Sequence, residues 1–164
     1  MNAALQSAAH SRVQRLLAVA NETLAGEEVI DAIQSIVIPG ARIYVICPAL
    51  VSRTRFWTSD LTAGIASAYS RLGASLTSMR ALGLQADGMV GDADPLLAIE
   101  DALRIFDADH LLISTHPADR STWLERRVVE RARARFAPPI THVVVDLRAG
   151  LAETPGAQSA RAAL

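Results

Sequence analysis

The chain has 164 residues, of which 51% are apolar and 20% charged, with a formal net charge of −1. That length fits one domain, and that balance excludes a disordered chain. A pI near 6.4 argues against nucleic acid as a partner, and no stretch approaches the roughly eighteen uninterrupted apolar residues of a membrane span. Residues 1–12 lack both a basic start and an apolar block, so they do not read as a secretory signal. Cys47 is the one cysteine, which rules out an internal disulfide and a Cys-rich zinc site and makes the cytoplasm the expected compartment. All 16 basic residues are Arg. Without Lys there is no Walker-type phosphate lysine, no Schiff base and no lysine general base.

The apolar pattern alternates between short runs and helical spacing. Leu16–Ala20 predicts a first strand. Val29, Ile33, Ile36 and Val37 then predict a helix that Pro39-Gly40 stops, and Ile43–Cys47 predicts the second strand. Leu61, Ile65, Ala68, Tyr69, Leu72, Leu76 and Met79 share one stripe of the next helix, with Ser59 or Asp60 as its cap. Leu84–Val90 is a third strand. Asp94-Pro95 opens a helix that turns Leu96, Ile99, Leu103 and Phe106 inward, and Leu111–Ser114 is a fourth strand. Thr122 begins a capping-box pattern ahead of a helix carrying Leu124, Val128, Ala132 and Phe136. After Pro138-Pro139, Ile140–Val145 forms the last strand. The domain is expected over residues 14–148, between flexible ends at 1–13 and 149–164.

Strands alternating with helices imply an α/β fold, a parallel sheet covered on both faces. Strands one, two and four are continuously apolar, as doubly buried strands should be. Strand three alternates, and strand five carries Thr141 and His142. Both suit edges, which gives the order 3-2-1-4-5. Ligands in such sheets bind beyond the carboxyl ends of the strands where the order reverses, here between strands one and four.

The residues at those ends are the candidate site: Asn21 and Glu22, then Pro48, then Gly91 and Asp92, then Ser114, Thr115 and His116. Arg53 and Arg55 lie beside Phe56 and Trp57 in the connection after strand two, where guanidinium forks suit phosphate or carboxylate and rings suit a base. A loop folded back over the core is the alternative for that segment. Arg120, Ser121 and Thr122 precede the last helix, whose amino end favours an anion by on the order of 1 kcal/mol. His116 is a weak candidate acid or base and Asp92 a weak catalytic candidate, with structural roles as the alternatives. Asp92 and Asp94 could hold a metal, but Asp94 reads better as a cap, so no metal is expected. Cys47 reads as an apolar filler, His110 and His142 as structural, and the arginines of the last helix as a solvated face. There is no G-x-G-x-x-G after strand one and no G-x-S-x-G elbow, which argues against a dinucleotide dehydrogenase and an α/β-hydrolase.

From Arg15 to Leu147 the chain resembles the universal stress proteins, a family within the wider Rossmann-like, adenine nucleotide alpha hydrolase-like folds. The resemblance is carried by Val90-Gly91-Asp92-Ala93-Asp94-Pro95 with Ala98-Ile99, by Ala108 through Thr115, and by the proline-led strand Pro139–Val145. The segments ANET, CPAL, WTSD, STHP and WLERRVVERARARF resemble a divergent actinobacterial branch. The resemblance implies a three-layer fold with the order 3-2-1-4-5, a homodimer through the last strand and, in the ATP-binding branch, an adenine nucleotide. The acidic residue ending strand one in that branch matches Asn21 here. The family's glycine phosphate loop corresponds to Ser114 or Thr115, Pro117 and Arg127-Val128, so the motif is absent. Pro117 offers no N–H, which leaves Arg53, Arg55 and Arg120 as the side chains for phosphate contact.

The expected function is therefore a stress-response regulatory domain that binds a small anionic ligand without turnover, with ATP, AMP or another anion as the ligand class. The alternatives are a nucleotide or phosphoryl hydrolase using His116, and a ligand-free dimeric interaction module. Dimerisation through Ile140 to Val145 has its own argument, since neither charge nor proline blunts that edge before Asp146.

Overall fold

A computed structural model describes residues 12–20, 24, 26–49, 59–115 and 123–145. The strands are β1 (Val13–Ala20), β2 (Val37–Pro48), β3 (Gln85–Gly91), β4 (His110–Thr115) and β5 (Ile140–Val144). They form one parallel sheet in the order β3-β2-β1-β4-β5, as composition predicted. The helices are α1 (Glu27–Ile36), α2 (Ser59–Ala81), α3 (Pro95–Ile105) and α4 (Trp123–Arg135). No described helix is long and apolar enough to cross a membrane.

Two cores form because successive strand residues point to opposite faces. Leu16, Ala18, Ile43, Val45, Cys47 and Leu112 pack under α1 and α2, against Val29, Ile33, Ala68, Leu72 and Met79. Leu17, Val19, Ile46, Leu111 and Ile113 pack under α3 and α4, against Leu96, Ile99, Ala102, Val129 and Ala132. Each large aliphatic side chain so buried contributes about 1.5–3 kcal/mol of transfer free energy, which is why β1 and β4 read as unbroken apolar runs.

The first helix and second strand divide differently from the sequence expectation. α1 ends at Ile36, Val37 is already extended at φ −95 and ψ 151, and β2 begins there rather than at Ile43. Pro39 and Gly40 lie inside the strand, at a register shift between the pairs Val13↔Val37 and Arg15↔Arg42. Gly40, at φ 82, takes a backbone conformation that a side chain would oppose. The β-branched run Ile36-Val37-Ile38 favours strand, so the helix stops before the proline does any work.

α2 carries a second correction. Ser59 and Asp60 are helical residues, so neither is the cap. Its buried stripe is Ala68, Leu72, Ser75 and Met79, whereas Ile65 and Tyr69 are 37% and 62% exposed. The helix has 23 residues and β3 has 7, lengths of about 34 Å and 23 Å. The helix is therefore longer than the edge strand it packs beside. In α3 the inward set also includes Ala98 and Ala102, with Leu103 only partly buried. In α4 it is Val129 and Ala132 that are buried, with Val128 and Phe136 flanking.

The amino-terminal end of the sheet is fastened by Arg15. Its guanidinium meets Asp109 at 2.8 Å and Asp107 at 2.7 Å. Its N–H donates to the Asp109 carboxylate at 3.0 Å, and its carbonyl accepts from the Asp109 N–H at 2.9 Å. These hydrogen bonds hold the Asp109 carboxyl below its ordinary range.

Candidate functional site

The carboxyl ends of the strands lie together as Ala20, Pro48, Gly91, Thr115 and Val144. β1 and β4 are neighbours with Ala20 opposite Ser114, and the chain leaves them in opposite lateral directions, to β2 and to β5. In open parallel sheets such a divergence is where ligands are held, which makes the ends of this pair of strands the candidate site.

Five of the sequence-predicted site residues are described, and each has an assignable local role. Pro48 is buried and ends β2 opposite Gly91. β1 stops one residue earlier in register, so proline's missing N–H costs no ladder bond there. The Gly91 carbonyl accepts from the Ala49 N–H at 3.2 Å. A Cβ at Gly91 would come within 2.7 Å of the Ala98 Cβ and 2.8 Å of the Ile46 Cδ1, so glycine is required for α3 to pack on the strand end. Asp92 is exposed, and its carboxylate accepts from the Asp94 N–H at 2.8 Å, forming an Asx turn into α3. Asp94 then caps α3, accepting from the Leu96 N–H at 2.9 Å.

Ser114 and Thr115 tie β4 to its two neighbours in the sheet. The buried Ser114 hydroxyl donates to the Val19 carbonyl at 3.2 Å, a cross-link between β4 and β1. Thr115 Oγ1 lies 2.7 Å from His142 Nε2 on β5, and the Thr115 carbonyl accepts from the Val145 N–H at 2.8 Å. Partial burial of the His142 ring lowers its pKa from the ordinary value, and the nearby Arg133 charge adds to that. His110, at the other end of β4, pairs with Thr141 at 2.9 Å. Both histidines are thus structural, as the sequence suggested. Asn21, Glu22, Arg53, Arg55, His116, Arg120, Ser121 and Thr122 lie outside the described residues. Among the described residues no group of His, Cys, Asp and Glu is arranged to hold a metal.

Sequence reasoning missed two α2 residues at this rim. Arg71 Nη2 donates to the Pro48 carbonyl at 3.0 Å, while its Nε donates to the Ser67 carbonyl at 3.4 Å. Ser75 is fully buried, and its hydroxyl accepts from the Leu24 N–H at 3.1 Å. The available signal was a hydroxyl interrupting an otherwise apolar stripe at Ala68, Leu72 and Met79. Cys47, one residue before Pro48, is buried, and its thiol is pushed up to about 11 by burial against the opposing charge of Arg71. It is a packing residue, not a nucleophile.

No protein-family model matches the chain, and no curated protein sequence does. Among solved structures, a universal stress protein from Archaeoglobus fulgidus superposes with a TM-score of 0.57 at 17% identity, over 80% of this chain and 98% of that one. The chain has the universal stress protein fold. A universal stress protein family protein from Arabidopsis thaliana, solved with AMP bound, matches with a TM-score of 0.53 at 11% identity, over 84% of this chain and 95% of that one. At these identities the likeness is one of fold, and it agrees with the universal stress protein resemblance read from the β3–α3–β4 segment and the last strand.

Proposed function

We propose that this chain is a universal-stress-protein-like regulatory domain that binds a small anionic ligand of the nucleotide class over the carboxyl ends of β1 and β4. It acts by binding rather than turnover. The observation that carries the reading is the reversal of strand order at Ala20 and Ser114, the topological position at which sheets of this kind hold ligands. The AMP in the Arabidopsis thaliana protein supports the ligand class. Asn21 follows Ala20 and His116 follows Thr115, so both connections deliver polar residues directly from the strand ends. The use of the Asp92 carboxylate in a turn favours binding over catalysis. Titration calorimetry with AMP, ADP, ATP, cyclic nucleotides and inorganic phosphate tests this: one of them gives saturable heat, and silence from all at millimolar concentration overturns it. Phosphate release from ATP that His116→Ala abolishes would replace it with a hydrolase.

We also propose that two copies pair through β5, and the contrast between the sheet's two edges supports this. On β3, Arg80 donates to the Ala86 carbonyl from Nε at 3.1 Å and Nη2 at 3.0 Å, and the Gly88 N–H donates to the Asp87 carboxylate at 2.8 Å. Side chains thus occupy that edge. Among the described residues none does so on β5, which holds no charged residue and leaves Val144 48% exposed. The cytoplasm is the proposed compartment, consistent with a single, buried cysteine.

A further inference from the structure

Ser75 and Arg71 lie one helical turn apart on α2, and each holds a different chain segment that leaves the candidate site. Ser75 accepts from Leu24, in the connection after β1, and Arg71 donates to Pro48, the last residue of β2. Leu24 and Ser75 are both fully buried, so the Leu24 N–H requires a partner. The helix interior bonds its own backbone, which leaves only a side chain to supply one. Pro48 has no N–H, so its carbonyl is its only backbone hydrogen-bonding group, and the guanidinium gives it a charge-assisted bond.

We propose that Arg71 and Ser75 are positioning residues for the candidate site, clamping the exits of β1 and β2 to one rigid helix. Their role rests on the reading of those strand ends as the ligand site. A guanidinium that also bonds Ser67 on its own helix is held in a fixed direction, so the end of β2 is referred to α2. The β1 exit is referred to the same helix one turn later. The relative placement of the ends of β1 and β2 thus follows α2.

The test is site-resolved amide hydrogen exchange on the full chain, together with AMP calorimetry. In Ser75→Ala the Leu24 amide is expected to exchange on the order of tenfold faster, while Leu17 and Leu112 keep their protection. In Arg71→Met the Ala49 amide, which donates to Gly91 beside the freed Pro48 carbonyl, is expected to respond instead, and Arg71→Lys to restore it in part. Both Ser75→Ala and Arg71→Met are expected to weaken AMP binding several-fold while the central amides of Leu17 and Leu112 stay protected. Unchanged exchange at Leu24 and Ala49 in a protein that binds AMP overturns the clamp and leaves the site reading standing. So does protection lost evenly across β1 and β4, which marks a global effect. Local exchange that responds in a wild-type protein that binds no AMP overturns the site reading, and the positioning role with it.

Discussion

At Gly88 one added carbon would meet the Val45 carbonyl oxygen at 2.2 Å and the Leu72 Cδ1 at 2.9 Å. The nearer obstacle is backbone of a paired strand, which cannot swing aside. Gly88→Ala is therefore expected to destabilise the fold by about 1–3 kcal/mol in urea denaturation. His142 supplies the pH dependence at this scale. Its folded pKa lies below the ordinary 6.5, so as pH falls the unfolded chain binds the proton first. The stabilisation is complete above 6.5 and is lost as pH falls below it towards the lowered value. Melting temperatures across that acid range should decline less steeply in His142→Gln, which keeps a polar partner for Thr115.

At the scale of elements, α3 was legible down to its cap, whereas α2 was legible as a helix but not in its long-range contacts, for a physical reason. Asp94 and Pro95 act within one turn of where they stand, so cap, proline and amphipathic stripe could be read together. Asp94→Ala removes the bond to Leu96 and is expected to cost about 1 kcal/mol, read from the shift in the denaturation midpoint at an unchanged slope. Arg71 and Ser75 contact partners 23 and 51 positions away. No local pattern announces such a pairing. The boundary between α1 and β2 was obscured differently: Val37 satisfies both helical spacing and a strand run, and only pairing with Val13 decides between them. Ile65 and Tyr69 fit the α2 stripe in sequence, yet the face that packs runs through Ala68, Leu72, Ser75 and Met79 and leaves them 37% and 62% exposed.

For the whole molecule, the two ends of the sheet serve different purposes. The amino-terminal end is closed by Arg15 with Asp107 and Asp109, while the carboxyl end carries the reversal of strand order between β1 and β4 on which the proposed site rests. The two edges differ as well, since Arg80 and Asp87 occupy β3 and leave β5 as the proposed pairing surface. Val144→Lys places a charge on that edge and is expected to turn a dimer into a monomer in sedimentation equilibrium, with little change in the fold. A wild-type chain that sediments as a monomer at high concentration overturns the pairing.

Sequence by itself determined the layered α/β architecture and the strand order, because burial on both faces writes an unbroken apolar run and an edge writes an alternating one. It also determined the chemistry that an all-arginine chain excludes and the cap that starts α3. Tertiary structure alone decided where α1 gives way to β2, which part of α2 is covered, and which α2 side chains hold the exits of β1 and β2. Those outcomes depend on contacts between residues distant in the chain, whose energies no local pattern contains.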